Sequence, residues 1–208
     1  MDLQFYGANC VRLTSKKAAI DIDDNLADLG AKAVTKSGDV SVHTMAHGPE
    51  AVEVKLSIDQ PGEYEVSDVS ITGIAARSHM DEAGRQTATM YRIVMEDVRL
   101  AVLGHVHPDL SNDQLEQLGM IDVLIVPVGG NGYTLDPIGA LKLIKAIEPK
   151  IVIPTHYDMP GIHYPVPQQT LADAIKDLGM EPQEPVTKLK IKATDLSDGM
   201  QLVVLEKQ

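Results

Sequence analysis

Through the first half of the chain, apolar residues alternate with polar ones or gather in short runs, and this period-two pattern predicts strands rather than helices. Strands are expected at 3–7 (LQFYG), 10–15 (CVRLTS) and 17–23 (KAAIDID), separated by GAN and KK. A polar link over 24–38 then leads to a further strand at 39–44, DVSVHT. Two longer runs follow at 69–77 (VSITGIAAR) and 87–104, the second interrupted at Glu96-Asp97 as a hairpin would be.

The pattern changes after residue 109. LSNDQLEQLG has helical spacing behind a serine cap, IDVLIVPVGG is a continuous apolar strand, and DPIGALKLIKAIEP is amphipathic with Asp136 ahead of Pro137. Then come a strand KIVIPTHY, a proline-rich loop over 158–167, a helix over 168–179 and closing strands at 186–192 and 200–206. An apolar strand with polar turns at both ends needs cover on both faces. A β-rich half followed by an alternating half therefore predicts an α+β domain over 1–208, a four-layer αββα sandwich of two packed sheets with helices outside. Some other mixed α+β arrangement satisfies the same pattern.

Composition narrows the chemistry. With 44% hydrophobic residues but only 3% aromatic, no Trp and one Phe, the core has to be built from Val, Ile, Leu, Ala and Met. A formal net charge of −12 argues against nucleic acid as a partner. The N-terminal stretch has no secretory pattern and no apolar run is long enough for a bilayer, so no membrane partner is expected. The single cysteine, Cys10, excludes an internal disulfide and fits a reducing compartment, which points to a cytoplasmic protein. Within its alternating strand Cys10 reads as a packed thiol.

Several segments carry a resemblance: FYGANCVRL, IDQPGEYEVSDVSITGIAARSHMDEAGRQTATMYRI, LGHVHPDLSNDQLEQLGMIDVLIVPVGGNGYTLD and IEPKIVIPTHY. Together they resemble the metallo-β-lactamase superfamily, in particular its small bacterial branch of Zn-dependent hydrolases related to ascorbate-6-phosphate lactonase. The resemblance spans nearly the whole chain and implies the αββα sandwich. It also implies a metal motif, HxHxDH, from which this chain departs. The matching positions are Met45, His47, Pro49 and Glu50. His105 stands where the family carries an aspartate in a later LGD segment, while His79 and His156 match family histidines.

Zinc and similar ions take imidazole and carboxylate donors, and a catalytic site needs about three of them plus an open position. Under the resemblance the expected ligands are His47, His79, His105 and His156, holding one divalent transition metal, with zinc ahead of manganese or iron. Glu50 is a further candidate, and so is His107 if its strand continues through HVH. The competing expectation is no metal, with the histidines lining a polar cleft. Tyr133, Asp136 and His163 are candidates for substrate contact, and Asp21 for a supporting role behind the ligands. His43 reads as a partly exposed structural histidine, and Glu63 and Glu65 as structural.

The functional expectation is a metal-dependent hydrolase with a remodelled one-metal site, acting on an ester, lactone or phosphoester. Its alternative is an inactive binding or scaffold protein without metal. A small anionic molecule is the expected partner, received at the glycine-rich turn before the second helix. Homo-oligomerisation is expected because relatives are often oligomeric.

Overall fold

The computed structural model describes residues 1–197 and 199–208. Two sheets form its frame. The first contains β1 (Asp2–Gly7), β2 (Cys10–Thr14), β3 (Ala19–Ile22), β4 (Val40–Val42), β5 (Leu56–Ile58) and β12 (Leu189–Lys190), in the order β12-β1-β2-β3-β4-β5. The second contains β6 (Gly62–Val66), β7 (Val69–Ala76), β8 (Ala88–Met95), β9 (Val98–Val102), β10 (Val123–Pro127), β11 (Ile151–Thr155) and β13 (Gln201–Leu202), in the order β13-β11-β10-β9-β8-β7-β6.

Each sheet begins with antiparallel hairpins and changes to parallel pairing, at β3–β4 in the first sheet and β9–β10 in the second. Glu96 and Asp97 have φ of 50° and 62°, the left-handed pair that a two-residue turn between twisted strands requires. Parallel β10 and β11 are buried at every position, which explains their unbroken apolar runs. Leu, Ile and Val side chains from both sheets form one continuous core around Phe5 and Tyr91, and Tyr91 donates its hydroxyl to the His43 carbonyl at 2.9 Å, tying the second sheet to the first.

Among the described residues, three α-helices complete the α+β fold. Ser111 caps α1 (Asn112–Leu118) through a full capping box with Gln114, Asp136 caps α2 (Pro137–Ile147), and Thr170 caps α3 (Leu171–Leu178). Helix α1 contacts β7, while α2 contacts β10 and α3. The closing strands are shorter than the pattern predicts, and β5 forms where no strand is expected. Those end segments pair only locally, since the edge position leaves most of their backbone without a neighbouring strand. Among the described residues no helix is long and apolar enough to cross a membrane.

Parallel pairing fixes where chemistry can gather. Strands β3 and β4 share one direction, as do β9, β10 and β11, so the loops leaving their C-terminal ends emerge side by side. Asp23, residues 43–50, His105, Tyr133 and His156 all lie on those loops.

Candidate functional site

The two sheets meet at Thr44. Asp23, just past β3 with φ of 51°, accepts hydrogen bonds from the Thr44 backbone N–H and hydroxyl, both at 2.7 Å. Gly104, past β9, lies so close that a Cβ there would stand 2.1 Å from Thr44 Oγ1. Only glycine permits this approach, and its φ of 59° makes the same demand.

Beside this junction opens a cleft of about 610 Å³. One wall carries His43, His47 and Glu50. The His43 ring lies on the His47 ring with centroids 3.6 Å apart and planes 4° from parallel. His43 Nε2 stands 2.9 Å from both Ser41 Oγ and Glu50 Oε1, and Ser57 donates to the same carboxylate oxygen at 2.7 Å. The second oxygen, Glu50 Oε2, is 4.0 Å from His47 Nε2. Burial raises the Glu50 carboxyl, but the hydrogen bonds from Ser57, His43 and Ser41 outweigh it and hold the group below the usual carboxylate range. His43 is only 3% exposed, which corrects its reading as a partly exposed structural histidine. Both neighbours of His43 meet the same nitrogen, so Ser41, His43 and Glu50 are not a nucleophilic triad, which needs them on opposite ring nitrogens.

The other wall is built from His105, Tyr133 and His156. His105 and His156 meet edge to face with centroids 4.7 Å apart, and Tyr133 lies 5.0 Å from His105. His156 is 3% exposed with φ of 53°, an unusual conformation held by its N–H bonding to the Ala8 carbonyl at 2.7 Å. Gln168 donates from Nε2 to the Val166 carbonyl, so its Oε1 faces His156 Nδ1 at 3.1 Å as an acceptor, and the lone pair of the imidazole resides on Nε2. Thr155 donates to Asn9 Oδ1, which turns Asn9 Nδ2 toward His105 Nε2 at 3.3 Å and leaves the proton on Nδ1. That buried Nδ1 has no partner. Burial, and then the neighbouring His105, push His156 down to about 3. Burial also lowers His105.

The remaining candidates lie elsewhere. His79 donates its backbone N–H to the His105 carbonyl, but its ring pairs with His107 at 6.0 Å and does not line the cleft. Strand β9 ends at Val102, so HVH is not a continuing strand and His107 turns toward Asp109 instead of His105. Asp136 caps α2 through the Gly139 N–H at 2.7 Å. His163 is exposed and packs over Gly30, outside the cleft lining. Asp21 is fully buried against Arg12, which also holds Asp39. Burial, opposed by Arg12, moves its carboxyl up to about 7. Asp21 thus braces the first sheet, and Asp23 rather than Asp21 borders the cleft.

Among the described residues, one group of three metal-type side chains has its donor atoms within 4.8 Å of one another: His43, His47 and Glu50. The four expected histidines do not form such a group. Two imidazoles and a carboxylate are a donor set known for catalytic zinc, so the residues fit one divalent ion in kind and spacing. Parallel rings share no common plane, however, so an ion taken by both imidazoles requires one ring to leave the stack. His43 lines the cleft instead of serving only as a structural residue, and its place two residues after Ser41 on the same strand face is a usable signal.

A family model described as the β-lactamase superfamily domain matches residues 2–156. The chain belongs to the metallo-β-lactamase superfamily. Within that superfamily, a UPF0173 metal-dependent hydrolase from Thermococcus onnurineus is 27% identical over 133 residues, covering 62% of this chain and 57% of that protein. A like-named protein from Carboxydothermus hydrogenoformans is 43% identical over 44 residues, 21% of this chain and 19% of that one. The match thus spans little more than half of these curated relatives, or less. A solved structure from Thermotoga maritima, described as a member of the metallo-β-lactamase superfamily, superposes with a TM-score of 0.79 over 100% of this chain and 99% of that chain, at 24% identity. A second solved structure, from Parabacteroides distasonis, superposes with a TM-score of 0.65 over 99% of this chain and 93% of that chain, at 17% identity. These structures show the shared fold, and the family implies a metal.

Proposed function

We propose that this protein is a cytoplasmic hydrolase of a carboxylic ester or lactone that uses one divalent ion, zinc first, held by His47 and Glu50 with His43 as the third donor. The observation that carries this reading is the convergence of those three side chains within 4.8 Å on the wall of the cleft. Under the resemblance Pro49 stands at the family's aspartate position, and proline has no donor, so a second ion lacks support.

When bound, the ion supplies Lewis acidity toward the scissile carbonyl and acidifies water. The protein's own groups do the rest. Ser57 donates its hydroxyl to Glu50 Oε1 and fixes it, leaving Oε2 free. His156, lowered to about 3, is too weak a base to take a proton at neutral pH and instead offers its Nε2 lone pair to a substrate N–H or O–H. Tyr133 lines the opposite side of the cleft and provides a hydroxyl for the substrate. The buried thiol of Cys10 takes no part, since burial and nearby Asp24 raise it well above the ordinary range.

Metal content of protein purified without a histidine tag tests the reading. About one equivalent is expected after reconstitution with zinc or manganese, accompanied by thermal stabilisation. Absence of both would remove the hydrolase reading in favour of a metal-free binding protein.

A further inference from the structure

We infer that a second groove, walled by residues 31–36 and Lys207, binds a small amphiphilic carboxylate, a short apolar body with one anionic head. The site is separate from the histidine-lined cleft and independent of the hydrolase reading. It measures about 380 Å³, within the range of small-molecule sites. Its apolar lining comes from Tyr6, Leu26, Ala31, Ala33 and Val34. Leu26 belongs to the buried core, and Tyr6 and Val34 are half-buried against it, so this surface is continuous with the interior.

The charged side chains of the groove are Lys32, Lys36 and Lys207, and no Asp or Glu lines it. That sign runs against the chain as a whole, in which 30 acidic residues face 18 basic ones. Elsewhere Lys17, Lys142, Lys150 and Lys188 each pair with an aspartate. Among the described residues Lys32, Lys36 and Lys207 have no carboxylate within 4.0 Å, and Lys207 donates to the Pro160 carbonyl at 3.2 Å instead. The expected place for an anion, the turn before α2, has its Gly139 N–H taken by Asp136 at 2.7 Å.

The wall itself is fixed before any ligand arrives. Asp24 accepts the N–H groups of Val34 and Thr35, both at 2.7 Å, and Asp39 accepts that of Lys36 at 2.8 Å while also held by Arg12. These carboxylates are thereby turned inward. Side chains then alternate across the wall: Thr35 lines the histidine-lined cleft, Lys32, Val34 and Lys36 line the groove, and Ala33 borders both. Because the N–H groups of 34–36 are used, no backbone cradle of the kind that suits phosphate remains there, and the head is met by ammonium groups. An apolar body loses water against Leu26 and Val34 while its head pairs with lysine, so a molecule lacking either part gains only half of the interaction.

Calorimetric titration of the full chain with octanoate, acetate, octan-1-ol, octylamine and octyl phosphate tests the site. Octanoate is expected to bind once, with submillimolar affinity, at least about tenfold tighter than acetate, octan-1-ol or octylamine. Lys32→Gln combined with Lys36→Gln should weaken octanoate by about tenfold, as two lost ion pairs would. Both side chains are exposed, so the variant should unfold at the parent's temperature, and Lys207→Gln repeats the test from the other side of the groove. His47→Ala, in the histidine-lined cleft, should bind octanoate as the parent does. No binding of octanoate, equal binding of octan-1-ol or octylamine, or unchanged affinity in the lysine variants would overturn the inference. So would loss of binding in His47→Ala, which would put the ligand in the cleft. Octyl phosphate bound about tenfold more tightly than octanoate would overturn the carboxylate head. None of these outcomes touches the hydrolase reading, which metal content decides.

Discussion

The imidazole of His43 lies flat on that of His47, 3.6 Å between centroids, with Glu50 joined to His43 at 2.9 Å and facing His47 at 4.0 Å. On the proposed reading the ion sits at this group and not at His79, His105 and His156. Metal binding measured on variants separates the two locations. His43→Ala and Glu50→Ala should each lose at least about tenfold in zinc affinity, the size of effect seen for ligands and their immediate partners. His105→Ala should keep its metal. The reverse pattern would return the ion to the other wall.

Gly104 is expected to be irreplaceable. A Cβ would stand 2.1 Å from Thr44 Oγ1 and 2.4 Å from Thr44 Cβ, at a φ of 59° that other residues rarely adopt. Gly104→Ala should cost roughly 2–4 kcal/mol in urea unfolding. Thr44→Gly in the same chain should recover part of this loss by removing the atoms in conflict, leaving the backbone strain. Additive losses would show that the two residues do not meet as described.

The contribution of His156 to stability should fall on acidification. Its folded value of about 3 lies below the ordinary 6.5, so the unfolded chain binds the extra proton. The contribution is therefore complete above pH 6.5 and is lost as pH falls toward 3, at about 1.4 kcal/mol per pH unit. Asp21, raised to about 7, acts in the opposite sense, its contribution fading as pH rises toward that value. Comparison with His156→Asn isolates the histidine, because Asn tolerates the left-handed conformation that His156 holds at φ of 53°. In denaturation measured from pH 7 to pH 4, the parent protein should lose stability relative to the variant as pH falls, and parallel curves would refute the assignment.

Asn9 should control which nitrogen of His105 carries the proton. Thr155 orients the Asn9 amide so that its N–H faces His105 Nε2, which places the proton on Nδ1. In Asn9→Asp only acceptors face that nitrogen, so the proton should move to Nε2 and the imidazole should become more basic. Nitrogen chemical shifts of the His105 ring report both changes. An unchanged tautomer would show that Asn9 merely packs there.

Local features were legible in the chain. Ser111, Asp136 and Thr170 cap their helices, Glu96-Asp97 turns its hairpin, and the apolar runs of β10 and β11 are the buried parallel strands. Each depends on neighbours only a few residues apart, where side-chain chemistry and backbone preference act directly. At 105–107 the pattern leaves open whether the strand continues through HVH, and β9 has already ended at Val102. His43 was misjudged for a related reason, since its burial comes from Glu50, His47 and Tyr91 rather than from its own strand.

Sequence alone therefore determined the α+β class, the helix caps and the histidines available for chemistry, because periodicity and capping are properties of short segments. Tertiary structure alone decided how those histidines divide, with His43 and His47 around Glu50 on one wall and His105 and His156 on the other. It also decided that Asp23, Asp24 and Asp28 share the cleft with them. The physical reason is that parallel pairing of distant strands, set by the burial of whole sheet faces, brings loop ends together irrespective of their separation along the chain.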